Sequence, residues 1–176
     1  MLWGPTINLN RDPRWGRNGE TASEDPFFNS VYGAAYAEGA QRSDEAPELL
    51  KSIVTLKHWG AYSVDLYKNS TVEYHRQSFD ANVSQFDMFD SYAPNFEKAV
   101  TGAVDGATGE QLMGATGIMC SYNAVNGIPS CASRWMQTEL LRGNWSFDGY
   151  VTGDWTRCIK TLTLKPRELK KTNFEY

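Results

Sequence analysis

Two histidines, three cysteines and no long apolar run mark this 176-residue chain, and each shortage excludes something. Cys120, Cys131 and Cys158 neither make a disulfide framework nor fall at metal-ligand spacing. The apolar runs stop well short of the roughly 20 residues a membrane helix needs, so no membrane partner is expected. Basic charge is scarce as well. Lys and Arg number 17 against 21 Asp and Glu, and a net charge of -4 gives no attractive field for nucleic acid. The opening Met1-Leu2-Trp3-Gly4-Pro5 has neither the basic start nor the apolar stretch of a signal peptide, which fits a start internal to a longer protein.

What is present describes a packed globular unit. Hydrophobic residues make up 41% and aromatics 13%, with 6 Trp and 9 Tyr, a composition that argues against disorder and supplies flat faces for ligand stacking. The length suits one domain. Charge is uneven along it: from Arg157 onward six Lys/Arg face two acids, which leaves eleven against nineteen in residues 1–156. The body, 1–156, is read as the domain, and 157–176 as an atypical basic tail with poor order. Three glycosylation sequons start at Asn69, Asn82 and Asn144 and point to a secreted protein. In that setting Cys120 and Cys131 are free to pair.

Periodicity gives an alternating order of strands and helices. Thr6–Asn10 reads as a short strand, followed by a Gly- and Arg-rich loop. Asp25 and Pro26 open a helix over Pro26–Gln41. Ser52–His58 reads as a strand, and Ser63–Ala81 shows no clear periodicity. Ser84 caps an amphipathic helix to Val100, with Phe86, Phe89, Tyr92, Phe96 and Val100 three or four residues apart. A strand at Gly117–Tyr122, a helix at Ser133–Arg142 and a strand at Gly149–Thr152 complete the series. The fold class expected is α/β, with about four parallel strands joined by crossover helices, an incomplete (β/α)8 barrel.

In such sheets the loops beyond the carboxyl ends of the strands carry the chemistry. Arg17, Lys57, His58, Tyr122 and Asp154 fall there, in four successive connections. Asp154 ends the run Gly149-Tyr150-Val151-Thr152-Gly153, where a barrel strand presents a nucleophile. Each residue has a structural alternative. Taken alone, Asp154 reads more commonly as a turn cap, and Lys57-His58 as a solvated strand end. Tyr122 reads as a core phenol, and Arg14 and Arg17 as salt-bridge partners of Glu20, Glu24 or Asp25. Asp12, Glu20 and Asp25 read as scaffold ions, Asp80, Asp87 and Asp90 as caps and solvated faces, and Trp59 and Trp155 as core packing or sugar walls.

The blocks Arg14-Trp15-Gly16-Arg17-Asn18-Gly19-Glu20-Thr21, Lys57-His58, Ser121-Tyr122-Asn123-Ala124-Val125-Asn126-Gly127 and Phe147-Asp148-Gly149-Tyr150-Val151 with Asp154-Trp155 resemble glycoside hydrolase family 3, nearest its xylosidase-like branch. The resemblance covers residues 3 to 156. It implies the first, barrel-like domain of a retaining, exo-acting β-D-xylosidase or β-glucosidase. Asp154 would be the catalytic nucleophile, with Arg17, Lys57, His58 and Tyr122 around the sugar. The partner implied is an oligosaccharide or glycoside substrate. No cofactor is required, because two carboxyls and ordered hydrogen bonds suffice.

Departures from the family pattern set further expectations. Gly153 stands where the family usually has Ser. The general acid/base usually comes from beyond the first domain, and the early strands, with a further sugar-binding Asp, would precede Met1. One branch takes its acid/base from a His in the loop after the Lys-His strand. Residues 59–65 contain no His, and His75 reads as a surface residue. The chain is therefore expected to be a fragment with little turnover, prone to self-association through exposed barrel edges. The alternatives are a non-catalytic carbohydrate-binding remnant and a truncated gene product.

Overall fold

A computed structural model of the chain describes residues 1–70 and 73–154, and the backbone of 170–172. In chain order the strands are β1 (Leu2–Thr6), β2 (Val54–Trp59), β3 (Leu66–Lys68), β4 (Glu73–His75), β5 (Phe79–Ala81), β6 (Gly117–Cys120), β7 (Ala124–Val125), β8 (Ile128–Pro129), β9 (Tyr150–Gly153) and β10 (Lys170–Thr172). The helices are α1 (Pro26–Gln41), α2 (Gln85–Asp87) and α3 (Pro94–Thr101), with π-helical segments at Met88–Tyr92 and Trp135–Asn144. The central sheet runs β1-β2-β6-β9 with every pairing parallel. Helical crossovers join these four strands, so the architecture is an incomplete (β/α)8-type barrel, as expected.

Strand β2 is the middle of this arc. Val54, Thr55 and Leu56 are wholly buried, as a strand covered on both faces requires. Helix α1 begins where Asp25 accepts the amide hydrogens of Phe27 and Phe28 at 2.7 and 3.3 Å. It packs through small residues. A Cβ on Gly33 would lie 2.9 Å from the Cβ of Ala99, so only glycine permits this approach of α1 to α3.

Several elements differ from expectation. The first strand is Leu2–Thr6, not Thr6–Asn10: Ile7 and Leu9 are buried and the Ile7 amide still donates to Lys57 O at 2.9 Å, but beyond it the Asn8 side chain takes over the pairing. The single helix expected over residues 84–100 is broken. Pro94 has no N–H to give, and the Ala93 amide reaches back five residues to Met88 O at 2.8 Å. The wider turn rotates the apolar stripe out of phase, leaving Phe86 and Phe89 exposed while Phe96 is buried. Ser84 does cap, accepting the Asp87 amide at 3.0 Å.

The stretch without periodicity holds three short strands. β3 and β4 form an antiparallel hairpin with Tyr67 opposite Tyr74, and β5 joins a second sheet, β10-β5-β7-β8. Three-residue strands are too short to show alternation. Asp80 on β5 is buried and accepts the Gly127 amide at 2.8 Å, which corrects its reading as a solvated or capping residue. Cys120 and Cys131 form a disulfide. Trp155, Cys158 and the basic tail lie outside the described residues, except that the backbone of Lys170–Thr172 pairs with β5.

Gln41, at the end of α1, locks the crossover to the sheet. Its Oε1 accepts from Val54 N, Thr116 N and Thr116 Oγ1 at 3.1, 3.0 and 2.8 Å, and its Nε2 donates to Gly114 O at 3.0 Å. Gln41→Leu keeps the volume and strands these buried groups. Urea unfolding is expected to reveal a loss of about 2 to 4 kcal/mol; a change within roughly 0.5 kcal/mol would contradict this role.

Candidate active site

The four parallel strands end at one rim, and a cavity of about 620 Å³ opens there. Trp3 reaches it from β1, Arg17 and Glu20 from the following loop, Lys57 and His58 from β2, Met119 and Tyr122 from β6 and beyond, and Gly153 and Asp154 from β9. All five residues singled out from the sequence therefore meet. Lys57 and His58 are consecutive yet line the same cavity. The β2–β6 register skips between Lys57 and Trp59, and the peptide bond joining Lys57 to His58 is cis.

The backbone behind these side chains is tied down. Asn8 Oδ1 accepts the His58 amide at 2.7 Å, and Asn8 Nδ2 donates to His58 O at 2.9 Å. Beyond the strand, Gly60 adopts a φ of +131° and offers its carbonyl to Ser121 Oγ at 3.0 Å and Asn123 Nδ2 at 2.8 Å. A Cβ at Gly60 would collide with Ser121 and Ser130. Ser121 and Asn123 thus serve structure, and Tyr122 between them lines the cavity. Trp59 is fully buried against Phe96 and Trp145, so it packs the core and forms no sugar wall.

Asp154 is the centre of the electrostatics. Burial acts to raise its pKa, but the hydrogen bond from His58, the Tyr122 phenol and the Arg17 charge together hold it below the ordinary aspartate value. His58 Nε2 lies 3.2 Å from Asp154 Oδ2 and 3.2 Å from Arg17 Nη1. Burial lowers the His58 pKa more than the carboxylate raises it, so the ring is neutral and the contact is a hydrogen bond rather than an ion pair. Arg17 cannot accept, so the tautomer that satisfies Asp154 carries its proton on Nε2. Nδ1 is buried with no hydrogen-bond partner among the described residues. Tyr122 stacks beside His58 with ring centroids 6.2 Å apart, and burial and its bond to Asp154 raise the phenol's pKa.

Arg17 is more committed than its expected sugar-holding role requires. Nε and Nη2 form a fork on Glu20 at 2.8 and 2.6 Å, and Nη1 faces His58 and the Tyr62 hydroxyl, the latter at 3.5 Å. The hydrogen bond from Arg17 holds the Glu20 carboxyl below its ordinary range, so Glu20 is ionised and fixes the loop. Arg14 turns away to grip Asp12. Lys57 lines the cavity half-buried, with no ion pair among the described residues.

Sequence reasoning missed Arg76, Asp65, Tyr62, Met119 and Trp3. Arg76 arrives from the β3–β4 hairpin, stands over the Tyr122 ring at 5.1 Å and lines the cavity. No periodic signal marks that segment. Met119 lies beside Lys57 in the β2–β6 register, so the two side chains share the inner face, but that register is set by the fold and is not marked in the sequence. His75 is exposed on β4, as expected of a surface residue. Among the described residues no group of three or more His, Cys, Asp or Glu could hold a metal ion, and no helix is long and apolar enough to cross a membrane.

A carboxylate at the carboxyl edge of a parallel barrel arc, flanked by an imidazole, a phenol and two cations, is a site of the kind that glycoside-cleaving barrels use. Comparison with known proteins agrees. Residues 1–171 match the family described as Glycosyl hydrolase family 3 N terminal domain, and the chain belongs to that family. It is 41% identical over 153 residues to Beta-xylosidase/alpha-L-arabinofuranosidase 1 of Medicago sativa subsp. varia, covering 86% of this chain and 18% of that protein. It is 40% identical over 155 residues to Exo-1,4-beta-xylosidase bxlB of Emericella nidulans, with 86% and 18% covered.

Solved structures resemble it in the same way. A GH3 exo-beta-xylosidase (XlnD) in complex with a xylobiose aziridine activity-based probe superposes with a TM-score of 0.77 at 36% identity, over 91% of this chain and 19% of that one. The beta-glucosidase from Listeria innocua in complex with isofagomine gives 0.71 at 30% identity, over 92% and 20%. The chain thus spans under a fifth of the length of these curated relatives.

His58 has a testable signature. Its folded pKa lies below the unfolded value of about 6.5, so the unfolded state binds more protons between the two values and stability falls as pH drops through that window. The His58 ring, followed by NMR, is expected to stay neutral at pH 6.5, and His58→Gln should flatten the acid-side loss of stability. A His58 midpoint at or above 6.5 would contradict the burial-dominated environment.

Proposed function

We propose that the protein containing this chain is a retaining, exo-acting β-D-glycosidase of the xylosidase or glucosidase type, which releases terminal sugars from xylo- or gluco-oligosaccharides. One observation carries this reading: Asp154, an acidified carboxylate 3.2 Å from His58 Nε2, opens into a cavity that Lys57 and Arg17 also line. A retaining glycosidase needs an ionised carboxylate to attack the anomeric carbon. Asp154 forms a glycosyl ester as the bond to the leaving oxygen breaks, and that oxygen departs with the bonding electrons and takes up a proton. Water then attacks the anomeric carbon, passing a proton to the group that protonated the leaving oxygen, and the bond to Asp154 breaks to free the carboxylate. Lys57 donates to sugar hydroxyls, Tyr122 and His58 keep the nucleophile charged and oriented, and Arg17 supplies a fixed positive charge. The xylosidases among its relatives favour a pentose substrate.

Retention also needs a second carboxyl about 5 to 5.5 Å from the nucleophile. Among the described residues, the cavity is lined by one carboxylate besides Asp154, Glu20, which Arg17 occupies. The proton donor is therefore expected from a part of the full-length protein outside these residues. No metal or organic cofactor enters such chemistry. The Cys120–Cys131 disulfide and the exposed Asn69, Asn82 and Asn144 support a secreted glycoprotein. Expression through a secretory pathway should add mass that an N-glycosidase removes; an unmodified product would contradict that compartment. The outer edges of β1 and β9, with Met1, Leu2 and Trp3 exposed, favour self-association of the isolated chain.

A mechanism-based fluoro-sugar separates the chemistry from simple binding. 2,4-Dinitrophenyl 2-deoxy-2-fluoro-β-D-xyloside has a leaving group that needs no acid, so labelling tests the nucleophile alone. A single adduct on the Asp154 peptide, lost in Asp154→Asn, is expected. Xylose binding without any adduct would replace this reading with a carbohydrate-binding remnant, and an adduct on another residue would overturn the assignment of Asp154.

A further inference from the structure

Asp65 stands just behind the site and does not line its cavity; it lines a separate, smaller one of about 150 Å³ on the far side, with Trp15, Tyr67 and Tyr74. Two arms nevertheless end on its Oδ1. The Tyr62 phenol donates to it, and the same hydroxyl accepts from Arg17 Nη1 at 3.5 Å. Tyr62 also packs edge-on against His58, with centroids 5.0 Å apart. The second arm is the Arg76 guanidinium, at 3.4 Å from Asp65 Oδ1 and 5.1 Å above the Tyr122 ring. The Arg76 amide donates to Asp65 O at 2.5 Å, so backbone and side chain fix the hairpin to the same residue.

We infer that Asp65 is the positioning residue of this site: its carboxylate anchors Tyr62 and Arg76, and through them sets Arg17, His58 and Tyr122 against Asp154. The inference rests on Asp154 being the nucleophile, but the geometry it describes exists without substrate. A carboxylate at this point does what no neutral residue does. It does both of two things: it accepts the hydrogen bond of the buried phenol, so that the phenol oxygen faces Arg17, and its charge holds a cation over the ring of the second tyrosine. Tyr62 is fully buried, and its pKa is pushed up by burial and by Asp65, so it remains a donor. Without the anchor, Arg76 loses its ion pair and keeps only its contact with the Tyr62 hydroxyl, so it is held less firmly over Tyr122, and the phenol that supports Asp154 loses its fixed orientation.

Asp65→Asn keeps the shape and an acceptor for Tyr62 but removes the charge that holds Arg76; Asp65→Glu restores the charge. Two readouts on the full chain test the role. In the unliganded protein, the Tyr122 ring signals, assigned by comparison with Tyr122→Phe, should shift in Asp65→Asn and move back toward wild type in Asp65→Glu. The first-order rate of fluoro-xyloside labelling at Asp154 should fall about tenfold in Asp65→Asn, as expected for a small misplacement of reacting groups, with the thermal midpoint within about 4 °C of wild type. Unchanged Tyr122 signals with labelling within twofold would overturn the inference. So would a large fall in thermal midpoint that Asp65→Glu does not repair, since that marks a purely structural residue. If the wild-type chain is not labelled at all, the catalytic reading fails, and the Tyr122 signals still decide the positioning role.

Discussion

The contact between His58 Nε2 and Asp154 Oδ2 joins the ends of two non-adjacent strands, β2 and β9, and the rest of the site is arranged to make it possible. A buried imidazole is driven neutral, and a half-buried carboxylate is driven toward its protonated form. The hydrogen bond resolves both tendencies at once, giving the carboxylate a donor without requiring a second charge in the interior. Asp154 is thereby held below the ordinary aspartate pKa despite its burial. Arg17, fixed by Glu20, adds long-range support from a third element.

Positioning His58 demands backbone that regular strand geometry does not provide. Asn8 replaces the β1 ladder with side-chain bonds to both sides of the His58 peptide, and the register skip after Lys57 brings neighbouring side chains to one cavity. The chain then turns at Gly60 under Ser121 and Asn123. Polar groups buried at strand ends are thereby satisfied by neighbours from the next strand, and a carbonyl left over in one loop becomes the anchor of the following one. Gln41 performs the same service at the opposite end of the sheet, where amides of Val54 and Thr116 need an acceptor.

Long apolar signals were legible in the sequence. Asp25-Pro26 fixed the start of α1, and the runs ending at His58, Tyr122 and Thr152 marked three strands to within two residues. Their parallel arrangement followed from alternation with helices. The hairpin β3–β4 was not legible, because three-residue strands with exposed faces carry no period, and Arg76 and Asp65 stayed hidden with it. The broken helix was half legible: Pro94 was visible, but the five-residue spacing that accommodates it turns the stripe of Phe86 and Phe89 outward, and nothing local announces that turn. Arg17 shows a different limit. Its block located it correctly at the rim, and only the geometry decided that its fork grips Glu20.

The family likeness and the physical reading meet at one quantity, the charge state of Asp154. A nucleophile must be ionised and a turn cap need not be, so the environment of that carboxyl separates the two. The most direct measurement is the carboxyl-carbon titration of Asp154 by NMR, in the wild type and in His58→Phe, which keeps a ring and removes the donor. The account predicts a midpoint below the ordinary aspartate value of about 3.9 in the wild type, rising when His58 is replaced. A wild-type midpoint at or above that value, unmoved by the substitution, would mean that the His58 contact does not govern the site.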